Sequence, residues 1–346
     1  MNNNILLPSE WHPQSAIQLT WPHENTDWEY MLEEVTACFV VLATEIMKRQ
    51  KLIIACANKD VVKYELKEQS IYFDNLQLIE LPSNDTWARD HGGISVFNNN
   101  KKQIYDFTFN GWGLKFASNF DNQITRGLFA KNIINNDVDI VNKKNFTLEG
   151  GAIESDGKGT LLTTSECLLS PNRNSYFSKE EIENYLKEIF GLNRVLWLDY
   201  GYLAGDDTDS HIDTLARFCD EHTIAYVKCD DRNDEHYDAL LKMEKQLKSF
   251  VDYEGNPYYL IPLPMATPVY DEDNERLPAT YANFLIMNDA VLLPFYNDKV
   301  KDEEARIQLQ KAFPTKEIIG IDCSVLIRQH GSLHCVTMQY PEGVIK

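Results

Sequence analysis

Basic residues are scarce in this chain. Its 33 lysines and arginines face 53 aspartates and glutamates, a formal charge of -20. Nucleic acid and anionic membrane surfaces require basic patches, so neither is expected as a partner, whereas a cationic ligand is admitted. No apolar run approaches bilayer-spanning length. Met1–Pro8 lacks a basic stretch followed by an apolar core, so no secretory leader is expected. The seven cysteines are scattered, with no C-x-x-C pair, which fits free thiols in a reducing compartment and a cytoplasmic location. G-x-G-x-x-G, G-x-x-x-x-G-K and H-E-x-x-H are all missing, which leaves no signature for a nucleotide or a zinc-hydrolase site. There is also no Pro/Gly/Ser-rich linker, so residues 1–346 are expected to form a single domain.

What is present is a recurring unit. Met31, Val35, Phe39, Leu42 and Ile46 share one face of the stretch Asp27 to Arg49, the spacing of an amphipathic helix. Helices are also expected over 122–134, 178–190, 234–250 and 302–313. Ser178 and Glu181 form a capping box there, and Gly191 a stop. Each helix precedes a short apolar strand: 52–57, 138–141, 195–198, 259–263 and 317–321. A polar loop and a further strand or hairpin follow each strand, directly or after another helix–strand step. Asp90, Glu149, His211, Asn283 and Cys335 mark these loops, 59, 62, 72 and 52 residues apart. Five units at a period near sixty residues suggest blades whose loops converge on one axis. An open α/β sheet with long connections is the alternative.

Several loop residues could carry chemistry. Cys335 follows a Gly-containing bend and precedes Val336-Thr337, a β-branched run that reads as strand. A thiol at the lip of a strand is held rigidly yet reachable, as a nucleophile must be; the other reading is a small buried hydrophobe. Strand alternation would turn His334 away from whatever Cys335 faces. His211 and Asp213, two apart, would share a strand face, with Ile212 turned to the core. The acidic and hydroxyl run Asp206–Ser210 before them suits a bound cation or a solvated turn. Asp90 lies between Arg89 and the Gly92-Gly93 pair, and Glu149 precedes Gly150-Gly151; each could be a turn carboxylate or a ligand. One thiol, one imidazole and several carboxylates on separate loops suit a guanidinium, a planar cation that needs bidentate acceptors. Its central carbon yields to a thiolate once a nitrogen is protonated for departure.

These motifs resemble the agmatine deiminase family, close to the bacterial peptidylarginine-deiminase-type enzymes of the guanidine-modifying superfamily. The likeness runs through Leu7–Trp11, Leu19–Pro22, Asp85–Asp90, Phe109–Gly113, Leu148–Gly151, Thr160–Leu169, Pro171–Asn174, Gly205–Asp213, Tyr281–Phe284 and His334–Thr337. The resemblance implies a fivefold pseudo-symmetric α/β-propeller, the pentein fold of ββαβ units. It implies Cys335 as the nucleophile that forms an amidino-cysteine, and His211 as the acid for departing ammonia and then the base for water. Asp90 and Asp213 would hold the guanidinium, supported by Glu149. Asp207 would hold the far end of the ligand, Trp87 would line the pocket, and Gly331 would keep a backbone-only wall. No metal or organic cofactor is implied, and a homo-oligomer, a dimer, is. The chain departs from the family where a glycine triplet and Asn usually precede His-Cys; here the run is Gln329-His330-Gly331-Ser332-Leu333. That change places bulk at the pocket mouth.

Four readings follow: hydrolysis of agmatine to N-carbamoylputrescine, deimination of free or peptide-bound arginine, a metal hydrolase using His211, Asp213, His330 and His334, and a non-catalytic propeller scaffold. The acidic loops disfavour the α-carboxylate of arginine, and the missing H-E-x-x-H disfavours the metal.

Overall fold

The five amphipathic segments fold as helices, at Leu32–Met47, Asp121–Ala130, Lys179–Phe190, Tyr237–Leu247 and Lys299–Ala312. Their ends fall within a few residues of the expected bounds, because side-chain periodicity marks a face better than a terminus. The capping box of Ser178 and Glu181 is formed, and Gly191 ends that helix in a left-handed conformation at φ +68°. A computed structural model describes residues 5–99 and 101–346.

Each helix crosses over between two parallel strands, and a third strand pairs antiparallel with the first of the two. The triplets are Ile94–Asn98, Lys101–Thr108 and Asp139–Thr147; Glu154–Ser155, Thr160–Thr164 and Arg194–Leu198; Ala216–Phe218, Thr223–Lys228 and Tyr259–Pro264; and Leu285–Ile286, Ala290–Phe295 and Glu317–Asp322. In the fifth sheet, Thr337–Pro341 from the end of the chain pairs antiparallel with Gln14–Thr20. That strand lies parallel to Lys51–Cys56, and Leu76–Glu80 is added outside it. Mixed α/β structure thus recurs as five ββαβ units in five sheets. Central strands read as near-continuous apolar runs because a helix covers one face and core the other: Ala290–Phe295 is apolar throughout and buried up to its last residue. Among the described residues, no helix is long and apolar enough to cross a membrane.

Two local expectations fail. Cys335 lies in a turn over Leu333–Val336, not on the strand, which begins at Thr337. His211 and Asp213 lie on a single helical turn, Ile212–Leu215, with His211 as its cap. The reason is shared. Thr214 donates its N–H (3.2 Å) and its hydroxyl (2.8 Å) to the His211 carbonyl. Thr337 does the same to the His334 carbonyl, both at 3.0 Å. A hydroxyl three residues on offers the backbone a closed turn in place of a ladder. Ile212 still enters the core.

Asp90, Glu149, Asp213, Asn283 and Cys335 each occupy the turn immediately before the first strand of their unit. The turns are tied to one another. Arg89 N–H donates to the Cys335 carbonyl (3.1 Å), Gly151 N–H to Asp90 Oδ1 (3.0 Å), and Thr164 Oγ1 to the Ser210 carbonyl (2.8 Å). Asn283 Nδ2 donates to the Asp213 carbonyl (3.3 Å), and His334 N–H to Asn283 Oδ1 (2.8 Å).

Leu292, fully buried on the central strand Ala290–Phe295, tests this packing. Leu292→Ala is expected to destabilise the fold by about 2–5 kcal/mol in urea unfolding; a change below about 0.5 kcal/mol, the size of a surface substitution, would contradict the packing.

Candidate active site

The thiol is fixed by one amide. Asn283 Oδ1 accepts from the N–H groups of His334 (2.8 Å) and Cys335 (3.3 Å) and from Cys335 Sγ (3.4 Å). His334 does not turn away from the cysteine's surroundings, as strand geometry would require. Its Nδ1 lies 2.7 Å from Asp213 Oδ2, and Cys335 Sγ lies 4.0 Å from the same oxygen. In a turn, neighbouring side chains can meet one partner.

Two carboxylates face this thiol. Trp112 Nε1–H donates to Asp90 Oδ2 (2.9 Å), and Gly151 N–H holds Oδ1. His334 engages only one oxygen of Asp213; Asp213 Oδ1 and both ring nitrogens of His211 are buried without a protein partner. His211 Nδ1 lies 3.6 Å from Asp90 Oδ1. Gly151 packs beneath all three, since a Cβ built there would stand 2.6 Å from His211 Nδ1, 2.9 Å from Asp90 Oδ1 and 3.2 Å from Asp213 Oδ2. Buried polar atoms are normally hydrogen-bonded, so the two carboxylates suit a ligand with several N–H donors.

Burial and charge push the two acids apart. Burial, reinforced by the charge of Asp213, drives the Asp90 carboxyl well above its ordinary range. Burial also pulls Asp213 upward, but the hydrogen bond and charge of His334, with His211 and Arg217, hold it below the usual value. Burial lowers His211 to about 3, leaving a neutral imidazole. The Cys335 thiol is driven well up by burial and then by the charges of Asp213 and Asp90. In the empty site it is therefore a thiol, not a thiolate.

Glu149 lies deeper. Arg173 Nε binds both its oxygens (2.9 and 3.1 Å), and the same guanidinium reaches Asp209 and the Thr208 carbonyl. Glu149 thus braces the loop that delivers His211, while burial raises its carboxyl despite Arg173. Ligand atoms of Glu149, Cys167 and His211 lie within 4.8 Å of one another, a donor set that suits a soft divalent ion. Arg173, however, already occupies the carboxylate. The quartet His211, Asp213, His330 and His334 does not converge: His330 Nδ1 bonds the Gly205 carbonyl at 2.7 Å, and His334 is held by Asp213.

Behind Asp213 runs a buried ionic network. Arg217 bonds Glu10 and Glu154, and His334 Nε2 lies 3.0 Å from Glu10 Oε2. In front, a cavity of about 350 Å³ opens over Cys335 and Asp90, lined further by Trp87, Asp207, His330 and Gly331. Gly331 is needed there, because a Cβ would stand 2.1 Å from Trp87 Cζ3. Asp85 and Asp121 also line the cavity, each pushed up to about 7 by burial.

The Porphyromonas-type peptidyl-arginine deiminase family model matches residues 6–341. The chain belongs to this family. A solved structure from Porphyromonas gingivalis, provisionally called an arginine deiminase, is 54% identical, with a TM-score of 0.95 over 99% of this chain and 100% of that one. The Campylobacter jejuni agmatine deiminase with substrate bound, a Cys-to-Ser variant, is 40% identical, with a TM-score of 0.90 over 99% and 98%. An agmatine deiminase of Ectopseudomonas mendocina is 30% identical over 97% of this chain and 95% of that protein.

Family membership makes this cavity the site to test, with Cys335 and Asp90 in its wall and His211 and Asp213 buried beside them. Reading the chain alone marked Asn283 by its loop position and named His334 only as a possible metal ligand, and it gave no site role to Trp112 or Arg173. Asn283 occupies in the fourth unit the place that Asp90, Glu149 and Cys335 hold in theirs. Trp112 and Arg173 had no such signal; each reaches back from the loop after the central strand of its own unit, Trp112 to Asp90 and Arg173 to Glu149.

Gly151→Ala is expected to lower ammonia release from a guanidine substrate by about 100-fold, since its methyl displaces three site groups; unchanged rates would remove this geometry. Asp85, Asp121 and Glu154, each at about 7 when folded, lie above their unfolded values of about 4. The stability they confer is whole at low pH and lost as pH rises through about 7, so the ligand-free melting temperature should fall between about pH 5 and 8. Asp121→Asn keeps the acceptor for the N–H groups of Asn84 and Asp85 and should flatten that fall. A melting temperature that rises over this range would contradict the assignment.

Proposed function

We propose that the protein hydrolyses agmatine to N-carbamoylputrescine and ammonia, as an agmatine deiminase. The observation that carries this reading is the buried pair Asp90 and Asp213 beside the Cys335 thiol, with a neutral, unpartnered His211 between them. A guanidinium donates its in-plane N–H groups to the two carboxylates. Its positive charge offsets the two negative charges that hold the thiol up, so substrate binding itself lowers the pKa of the nucleophile. Sγ then adds to the central carbon as its proton passes to His211. The imidazolium gives that proton to one nitrogen, the C–N bond breaks, ammonia leaves, and an amidino-cysteine remains. Neutral His211 next takes a proton from water, the oxygen adds to the same carbon, and the S–C bond breaks. The thiol recovers its proton from the new hydroxyl, and His211 gives its proton to solvent, where the ammonia already released becomes ammonium. Charge and atoms balance, and the chain supplies every group used.

Tail chemistry favours agmatine over arginine. Asp207, Asp85, Asp121 and Asp27 line the cavity, and its lysine, Lys115, is already bound to the Asp207 carbonyl (2.6 Å) and Asp209 Oδ1 (2.8 Å). An α-carboxylate would find repulsion and no free cation. In this reading, residues 1–346 form one catalytic unit whose five sheets are blades of a fivefold pentein propeller. The ties between successive turns, closing from Cys335 back to Arg89, support it. Seven unpaired, buried cysteines and the family resemblance support a cytoplasmic homodimer.

Ammonia release from agmatine, free arginine and a blocked arginine peptide provides the test, with and without EDTA. Agmatine turnover should be indifferent to EDTA and fall by at least about a thousandfold in Cys335→Ala. Turnover of the peptide instead would keep the catalytic roles and transfer the substrate to the second reading.

A further inference from the structure

His330 stands at the cavity mouth in a left-handed backbone conformation, φ +64°, that side chains other than glycine rarely adopt. Its Nδ1 lies 2.7 Å from the Gly205 carbonyl oxygen. A carbonyl only accepts, so Nδ1 carries a proton, and Nε2 is the ring atom left to face a ligand. Nε2 lies 3.8 Å from Asp207 Oδ2, and both residues line the cavity that ends at Cys335. On the opposite flank, Gln329 Nε2 donates to the Asp27 carbonyl (2.8 Å), so the segment carrying His330 is tied down on both sides of the mouth.

We infer that His330 is a specificity-determining residue. Its Nε2 and the Asp207 carboxylate together accept the terminal ammonium of the substrate's tail. The inference rests on the guanidine-hydrolase reading above and adds to it the residue that selects the tail. A primary ammonium has three N–H donors and no acceptor. Seated between two acceptors 3.8 Å apart, it can donate to both at once. A methyl group at the same place would strip water from both without replacing its hydrogen bonds. A carboxylate there would meet the Asp207 charge and the imidazole lone pair, with Asp27, Asp85 and Asp121 on the surrounding walls and Lys115 already paired.

The test compares agmatine with 1-pentylguanidine, which has the same chain length and a methyl in place of the ammonium. His330→Gly removes the imidazole while suiting the backbone, since glycine adopts φ +64° without strain; folding is checked by thermal melting. The wild type should prefer agmatine by about 100-fold in kcat/KM, and His330→Gly should cut that preference about tenfold. Combining it with Asp207→Asn should cost less than the product of the single losses, because both act on one ammonium. Calorimetric binding of the two guanidines to Cys335→Ala should show the same preference without turnover. An unchanged preference in His330→Gly would overturn the inference and leave His330 as a strap across the mouth. A raised preference would overturn it too, since it would mean that His330 hinders ammonium binding at Asp207. If the wild type released ammonia from neither guanidine, the hydrolase reading itself would fall, and this inference with it.

Discussion

Two carboxylates are held out of water within reach of one thiol, and the rest of the site follows from the cost of that arrangement. Like charges in a dry pocket raise each other's pKa and that of any thiol nearby. Asp213 is held below the usual carboxylate range by its hydrogen bond to His334 and by the Arg217 guanidinium beyond it. Asp90 has only the indole of Trp112 and the amide of Gly151, and burial drives it up. Burying two carboxylates side by side is costly, and a cation bound between them would offset that cost.

The fold makes this arrangement possible by repetition. Each ββαβ unit ends its approach to the centre in a turn just before its first strand, and each turn contributes one polar residue: Asp90, Glu149, Asp213, Asn283 or Cys335. No single unit places two reacting groups opposite each other. Convergence comes from hydrogen bonds between turns, and it extends across the join between the two ends of the chain, where Thr337–Pro341 pairs with Gln14–Thr20. The strand beside the nucleophile is thus anchored by the first strand of the chain's first crossover.

Glycines set the walls. Gly151 and Gly331 are needed for contact, the first beneath the acids and His211, the second against the face of Trp87. The mouth follows a different rule. His330 accepts a backbone conformation that glycine would take more readily, and in return places an imidazole beside Asp207. Catalytic floor and mouth are separable in this way, since guanidinium capture depends on buried charge whereas tail choice depends on half-exposed acceptors.

Local order was legible in the residues alone. Periodicity located all five crossover helices and their following strands, and loop spacing singled out Asp90, Glu149, His211, Asn283 and Cys335. These are properties of i, i+4 neighbours and of alternating strands, which the chain carries in its own order. Tertiary structure decided what those residues touch. Thr214 and Thr337 closed turns where strands were expected, so His334 came to hold Asp213 rather than face away. Arg173 and Trp112 reached back from later loops of the units that carry Glu149 and Asp90, and the Glu10–Arg217–Glu154 network joined three different units. The protonation states of Asp90, Asp213 and Cys335 were set by those arrivals. A sequence can show which side chains are able to ionise, but the free energy of ionisation depends on neighbours and burial, and these exist only once the five turns have met.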